Sequence, residues 1–281
     1  MTRIARPHHA GWARTRSGYE FPAECTSLPP VLSSRLSPAR GSLALSLLTV
    51  YETLAISWPT VVDAALGRVK KDVCDERLRS WSQKVVSHAR IDLEVRGREH
   101  LETGRAYLVM SNHQSHYDIP VVFAVIGGNI RMIAKQELFK FPIFGAAIRE
   151  AGFISIDRSD RHRAIESLEV AKQTLAGGVH VWIAPEGTRS TTGKLLPFKK
   201  GGFNLALEAQ LTILPITIDG TKNILPPKAM RSHHDAKVRV TIHPPIDSRA
   251  YATNGKSFGG FRASRDKLMR DVREAFERGF S

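Results

Sequence analysis

The sequence predicts an α/β domain with a mostly parallel central sheet flanked by helices, preceded by an N-terminal membrane-associated helical segment. Three observations carry this. From residue 91 onward, apolar runs of strand length alternate with stretches whose apolar residues recur at helical spacing. Before that, Leu43 to Val62 is apolar almost throughout, close to the roughly 20 residues a spanning helix needs. Cations also follow the ends of several strand-like runs, at Lys135, Arg158 and Arg189.

The chain has 281 residues, enough to bury a full core, and could be one large domain or two small ones. Lys and Arg number 41 against 27 Asp and Glu, a net charge of +14. That balance favours polyanions such as nucleic acid, anionic lipid or phosphorylated substrates without choosing among them. The two cysteines, Cys25 and Cys74, exclude a disulfide framework and a zinc cluster and suit a reducing compartment.

Residues 1–40 hold Arg3, Arg6, Arg14, Arg16, Arg35 and Arg40 against Glu20 and Glu24, and read as a basic disordered tail rather than a secretory signal. Residues 41–90 form the helical membrane-association segment. Within Leu43–Val62, Glu52 sits mid-segment, Pro59 would kink the helix, and Tyr51 and Trp58 suit an interface. The segment either dips into one leaflet or spans. Asp75 to His88 places Leu78, Trp81 and Val85 on one face. It lies either on an anionic bilayer surface or against the domain as a surface helix.

Residues 91–281 form the α/β domain. Strands are expected at 91–95, 106–111, 130–134, 152–156, 179–184 and 211–218, with an edge strand at 237–242. Helices are expected at 142–150, 164–175 and 202–209, and an amphipathic closing helix at 265–276 carries Leu268, Met269, Val272 and Phe276.

The stretch Ser111-Asn-His-Gln-Ser-His-Tyr-Asp-Ile-Pro120 leaves the second strand and enters a helix. Active sites of α/β proteins lie at such connections. On a regular helix, five residues would turn Asp118 about 140° away from His113. On a turn the carboxylate can fold back onto the imidazole, fix its tautomer and let the other nitrogen deprotonate an alcohol. A bland alternative makes His113 a loop residue and Asp118 a helix cap. Glu186-Gly-Thr-Arg189 follows the fifth strand: glycine admits close approach, and arginine offers a fork for phosphate or carboxylate. Together with Lys135, Asp157-Arg158 and the His–Asp pair, this suggests an anionic acceptor held beside a general base.

Asn112-His113-x4-Asp118, Gly152-Phe-Ile-Ser-Ile-Asp-Arg158, Pro185-Glu-Gly-Thr-Arg189 and Ile213-Leu-Pro-Ile216 resemble, in order and spacing, the four blocks of the glycerolipid acyltransferases, nearest to the bacterial lysophosphatidate acyltransferases. The resemblance runs from about Arg90 to Asp247. It implies transfer of a fatty acyl group from acyl-ACP or acyl-CoA to the sn-2 hydroxyl of 1-acylglycerol 3-phosphate, giving phosphatidic acid, without an acyl-enzyme. His113 would be the base and Asp118 its orienting partner. Arg158 and Arg189, with Lys135 and Lys199, would bind phosphate; Glu186, Gly187 and Thr188 would shape the pocket; Asn112 and Ser115 would tie down the turn. No metal or prosthetic group is implied, and the location would be the cytoplasmic face of the cell membrane. The same chemistry on glycerol 3-phosphate, a lyso-ornithine lipid or another lysophospholipid is the near alternative. A basic membrane- or nucleic-acid-binding protein is the non-enzymatic one, although no nucleic-acid motif is present and no nucleic-acid partner is expected. His116, inside the first block, and His233-His234 have no role assigned by the resemblance.

Overall fold

The computed structural model describes residues 41–157, 161–251 and 258–280; the expected basic tail at 1–40 and the candidate Arg158 lie outside them. The first helix, α1, spans Leu43–Ala65, and the Ser42 hydroxyl caps it by accepting the Leu45 amide at 3.1 Å. Its faces are reversed relative to a helix of a soluble protein. Leu47, Val50, Tyr51, Leu54 and Trp58 are exposed. The inward side is polar: Thr49 shares a hydrogen bond with the Tyr117 hydroxyl at 3.0 Å, Thr53 accepts the Trp81 indole N–H at 3.1 Å, and buried Glu52 lies 3.5 Å from the Lys84 ammonium.

Helix α2 (Lys71–His88) uses its apolar face on the domain, so of its two readings the packed surface helix is the one realised. Cys74, Leu78 and Val85 are buried, and Trp81 stands edge-to-face on Phe123 with ring centres 6.2 Å apart. Burial of side chains of this size contributes about 1.5–3 kcal/mol each, so little apolar surface remains for lipid. Its start is pinned by the buried Arg131 guanidinium, which donates to Asp75 at 2.6 Å.

The sheet comprises β1 (Asp92–Arg96), β2 (Leu108–Ser111), β3 (Ile130–Lys135), β4 (Ile154–Ile156), β5 (His180–Ile183), β6 (Thr212–Asp219), β7 (Lys237–Ile242) and β8 (Ile246–Asp247). Its order is β1-β7-β6-β2-β5-β3-β4, with β8 paired to β6 beside this path. Pairing is parallel except where β7 and β8 meet β6. β2 is central and its residues are all buried, which explains its unbroken apolar run. Val109 packs on one face with Phe123 of α3 (Asp118–Ile126); Leu108 and Met110 pack on the other with Phe203 of α6 (Gly201–Glu208) and Phe276 of α7 (Phe258–Arg278). The remaining helices are α4 (Phe144–Glu150) and α5 (Arg161–Ala176).

The expectation of an edge strand at 237–242 is corrected: β7 lies between β1 and β6. Val238, Val240 and Ile242 are buried while Lys237, Arg239 and Thr241 face outward. Alternation reports that one face of a strand is wet, not that one of its edges is free.

Candidate active site

The carboxyl ends of β2, β5 and β6 lie side by side, and the turn leaving β2 carries His113. Its backbone is held from three sides. The Asn112 amide stitches the turn to β6, donating to the Ile218 carbonyl at 2.8 Å and accepting the Ile218 N–H at 2.7 Å. The Ser115 hydroxyl donates to the Leu225 carbonyl at 2.8 Å. Glu186, on the loop after β5, accepts the His113 N–H at 3.0 Å, and the His113 carbonyl accepts the Ser190 N–H at 2.8 Å.

Within the turn, His113 Nδ1 lies 2.7 Å from Asp118 Oδ2. Asp118 is fully buried, and the same oxygen accepts the amides of Gln114 at 2.7 Å and Ser115 at 2.9 Å. Its second oxygen accepts the Thr221 hydroxyl. The carboxylate therefore folds the turn and holds the ring at once. Because an ionised carboxylate only accepts, Nδ1 carries the proton and Nε2 presents a lone pair. The His113 side chain is 19% exposed, and its ring stands edge-to-face on Trp182 at 6.2 Å.

The candidates for binding are placed unevenly. Glu186 is buried and turned to the backbone: besides His113 it accepts the Leu196 N–H at 2.7 Å, and burial pushes its pKa upward. Its position fits a brace of the loop rather than a wall of the pocket. Gly187 takes φ 73° in the turn that follows, where a side chain would be strained. Thr188 is exposed. Arg189 makes no ion pair among the described residues and lies near enough to His116 for its charge to act on that ring. Lys135 is exposed and paired with Glu137 at 2.9 Å. Lys199 is exposed too, its N–H closing the loop onto the Pro185 carbonyl at 2.7 Å.

His116 has an exposed outer edge and an inner side packed on protein. Loss of solvent on that inner side, then the charges of Arg189 and His113, lower its pKa to about 4. With Tyr117 it lines a 350 Å³ apolar cavity whose walls also include Trp81, Met132, Phe144, Ile148 and Phe153. The arrangement can thus remove a proton from an alcohol, with a space for a hydrocarbon chain and the Arg189 charge both reaching His116, three residues along the same turn. Sequence reading missed Thr221. The signal was there: it follows Asp219-Gly220 at the end of β6, the position searched for charge at the other strand ends.

Known proteins resemble this chain in sequence and in fold. Residues 92–219 match the family model described as Acyltransferase, which makes that stretch an acyltransferase domain. The 1-acyl-sn-glycerol-3-phosphate acyltransferase alpha of Homo sapiens is 40% identical over 157 residues, 56% of this chain and 55% of the relative. The protein of that name from Mus musculus is 38% identical over 159 residues, 56% of each chain. The matched stretch thus spans about half the length of these curated relatives. The crystal structure of the 1-acyl-sn-glycerophosphate (LPA) acyltransferase PlsC from Thermotoga maritima superposes with a TM-score of 0.66 at 26% identity, covering 83% of this chain and 95% of that one. Residues 92–219 thus carry an acyltransferase domain, and over that part the chain is similar to 1-acyl-sn-glycerol-3-phosphate acyltransferases.

Proposed function

We propose that this protein transfers a fatty acyl group from acyl-CoA or acyl-ACP to the sn-2 hydroxyl of 1-acylglycerol 3-phosphate, forming phosphatidic acid. The observation that carries the reading is the 2.7 Å His113–Asp118 pair beside the 350 Å³ apolar cavity. Arg189, with Arg158, Lys135 and Lys199, holds the acceptor phosphate, and Gly187 and Thr188 border it. His113 Nε2 takes the hydroxyl proton while the oxygen attacks the thioester carbonyl. Collapse of the tetrahedral intermediate breaks the C–S bond, and the imidazolium returns its proton to the departing thiolate. The cavity takes an acyl chain. The exposed apolar face of α1 sits in the bilayer at its cytoplasmic face, where the chain's net positive charge favours anionic lipid. Lipid substrates then enter laterally.

The test is an acceptor panel. Purified enzyme and labelled acyl-CoA are offered 1-acylglycerol 3-phosphate, glycerol 3-phosphate, a lyso-ornithine lipid and monoacylglycerol. The expected result is preference for 1-acylglycerol 3-phosphate, lost in Arg189→Ala through a KM for that acceptor raised by roughly tenfold or more, the worth of a charge-assisted contact. Preference for a phosphate-free acceptor would overturn the substrate assignment.

A further inference from the structure

We infer that the pocket between β6 and β7 binds the phosphorylated arm of the acyl donor. This rests on the acyl-transfer reading above and assigns the second substrate of that site. Because β7 runs antiparallel to β6, the carboxyl end of β6 and the amino end of β7 share the sheet edge that carries His113. There a 370 Å³ pocket is lined by Asp219, Gly220, Lys222, Asn223, Lys237 and Arg239. Three cations thus face one carboxylate within the lining. Lys237 and Arg239 each approach Glu94, at 3.8 and 3.3 Å, outside the pocket. Lys222 is half-buried and forms no ion pair among the described residues. A half-buried ammonium without a carboxylate is a group awaiting an anion.

The pocket adjoins the catalytic turn through covalent neighbours. Thr221, whose hydroxyl bonds Asp118, immediately precedes Lys222. The Lys222 ammonium lies over Gly193, where an added Cβ would stand 2.5 Å from Nζ, and the Gly193 carbonyl accepts the Gln114 side-chain amide at 3.4 Å. Gly220, at φ 102°, lets the chain pass the Lys237 carbonyl, which a Cβ there would strike at 2.1 Å. The strand order then divides the cations. Arg189 and Lys135 follow β5 and β3 on one side of β2, while Lys222, Lys237 and Arg239 stand on the other, beyond β6. The reaction joins two anionic substrates at one imidazole. With the acceptor phosphate on the β5–β3 side, the opposite group is left for the donor. Both acyl-CoA and acyl-ACP present the thioester on a pantetheine arm whose far end is phosphorylated, and a cationic pocket beside the base suits that phosphate.

The experiment measures KM for acyl-CoA, acyl-ACP and a phosphate-free acyl-pantetheine, and for the acceptor, in the parent protein, Lys222→Gln, Lys222→Arg and Arg239→Gln. The expected result is that Lys222→Gln raises KM roughly tenfold for a phosphorylated donor. KM for acyl-pantetheine and for the acceptor should follow the parent, Lys222→Arg should largely restore the donor, and Arg239→Gln should shift KM in the same direction. A rise with acyl-CoA alone assigns the nucleotide phosphates, with acyl-ACP alone the carrier's phosphodiester, and with both the shared phosphate. Unchanged donor KM, an equal rise with acyl-pantetheine, a rise in acceptor KM, or inactivity of Lys222→Gln with every donor would overturn the assignment while leaving acyl transfer by the parent intact. A parent that transfers nothing from any donor would instead remove the function on which it rests.

Discussion

His113→Ala is expected to lose acyl transfer by at least about 10²–10⁴-fold, the usual worth of a positioned general base, while its binding to anionic liposomes stays at the parental level. The structure offers no substitute base in the turn. His116 is the nearby imidazole, but its pKa of about 4 makes it a weak base at neutral pH, and no carboxylate among the described residues is bonded to its ring. The substitution removes a largely buried ring without touching the backbone bonds to Glu186 and Ser190 that hold the turn. Parallel measurement of initial transfer rates and vesicle co-sedimentation checks both halves. Transfer at the parental rate would refute the assignment of the base, and loss of liposome binding would show that the turn also docks the protein.

Asp118→Asn should lower kcat by about 10²-fold or more with a near-parental KM for the acceptor, because it acts on the transition state. The geometry limits the damage to the fold. Oδ2 accepts the amides of Gln114 and Ser115 as well as His113, so the amide oxygen of asparagine must occupy that site. The new NH2 then faces the Thr221 hydroxyl, which can rotate to accept it. The ring keeps its Nδ1–H tautomer, and what disappears is the negative charge that stabilises the imidazolium formed as the alcohol is deprotonated. Asp118→Ala is different. It strands two buried backbone N–H groups at about 1–3 kcal/mol each, so thermal unfolding should move down markedly for Ala and little for Asn. Comparing kcat and Tm across the two variants separates charge from folding. Equal kcat for Asn and the parent would show that the carboxylate serves only the backbone.

Much of this site could be read from the sequence because it follows local rules. The apolar run of β2, the proline near the start of α3 and the charges beyond β3, β4 and β5 each report their own segment. The five-residue gap between His113 and Asp118 makes sense only because a turn, not a helix, separates them. What stayed hidden depends on partners far along the chain. The amphipathic pattern of α2 does not tell lipid from Phe123. The alternation in β7 does not reveal that β1 lies on one side and β6 on the other. Glu186 looks like a ligand of substrate in sequence, yet its oxygens are taken by the amides of His113, 73 residues earlier, and Leu196. Thr221 reaches Asp118 across 103 residues. The polar inner face of α1 is likewise visible only against Trp81 and Tyr117.

The central claim is that the acceptor alcohol, deprotonated by His113, attacks the thioester directly. Cys74, in the cavity wall, is an unsuitable nucleophile, since burial pushes its thiol pKa upward and away from the thiolate. The most direct measurement is the intact mass of the protein after mixing with acyl-CoA in the absence of acceptor, followed by addition of 1-acylglycerol 3-phosphate. The account predicts an unmodified mass throughout, with product appearing only after the acceptor is added. An adduct of one acyl group that forms first and then disappears as product accumulates would contradict it.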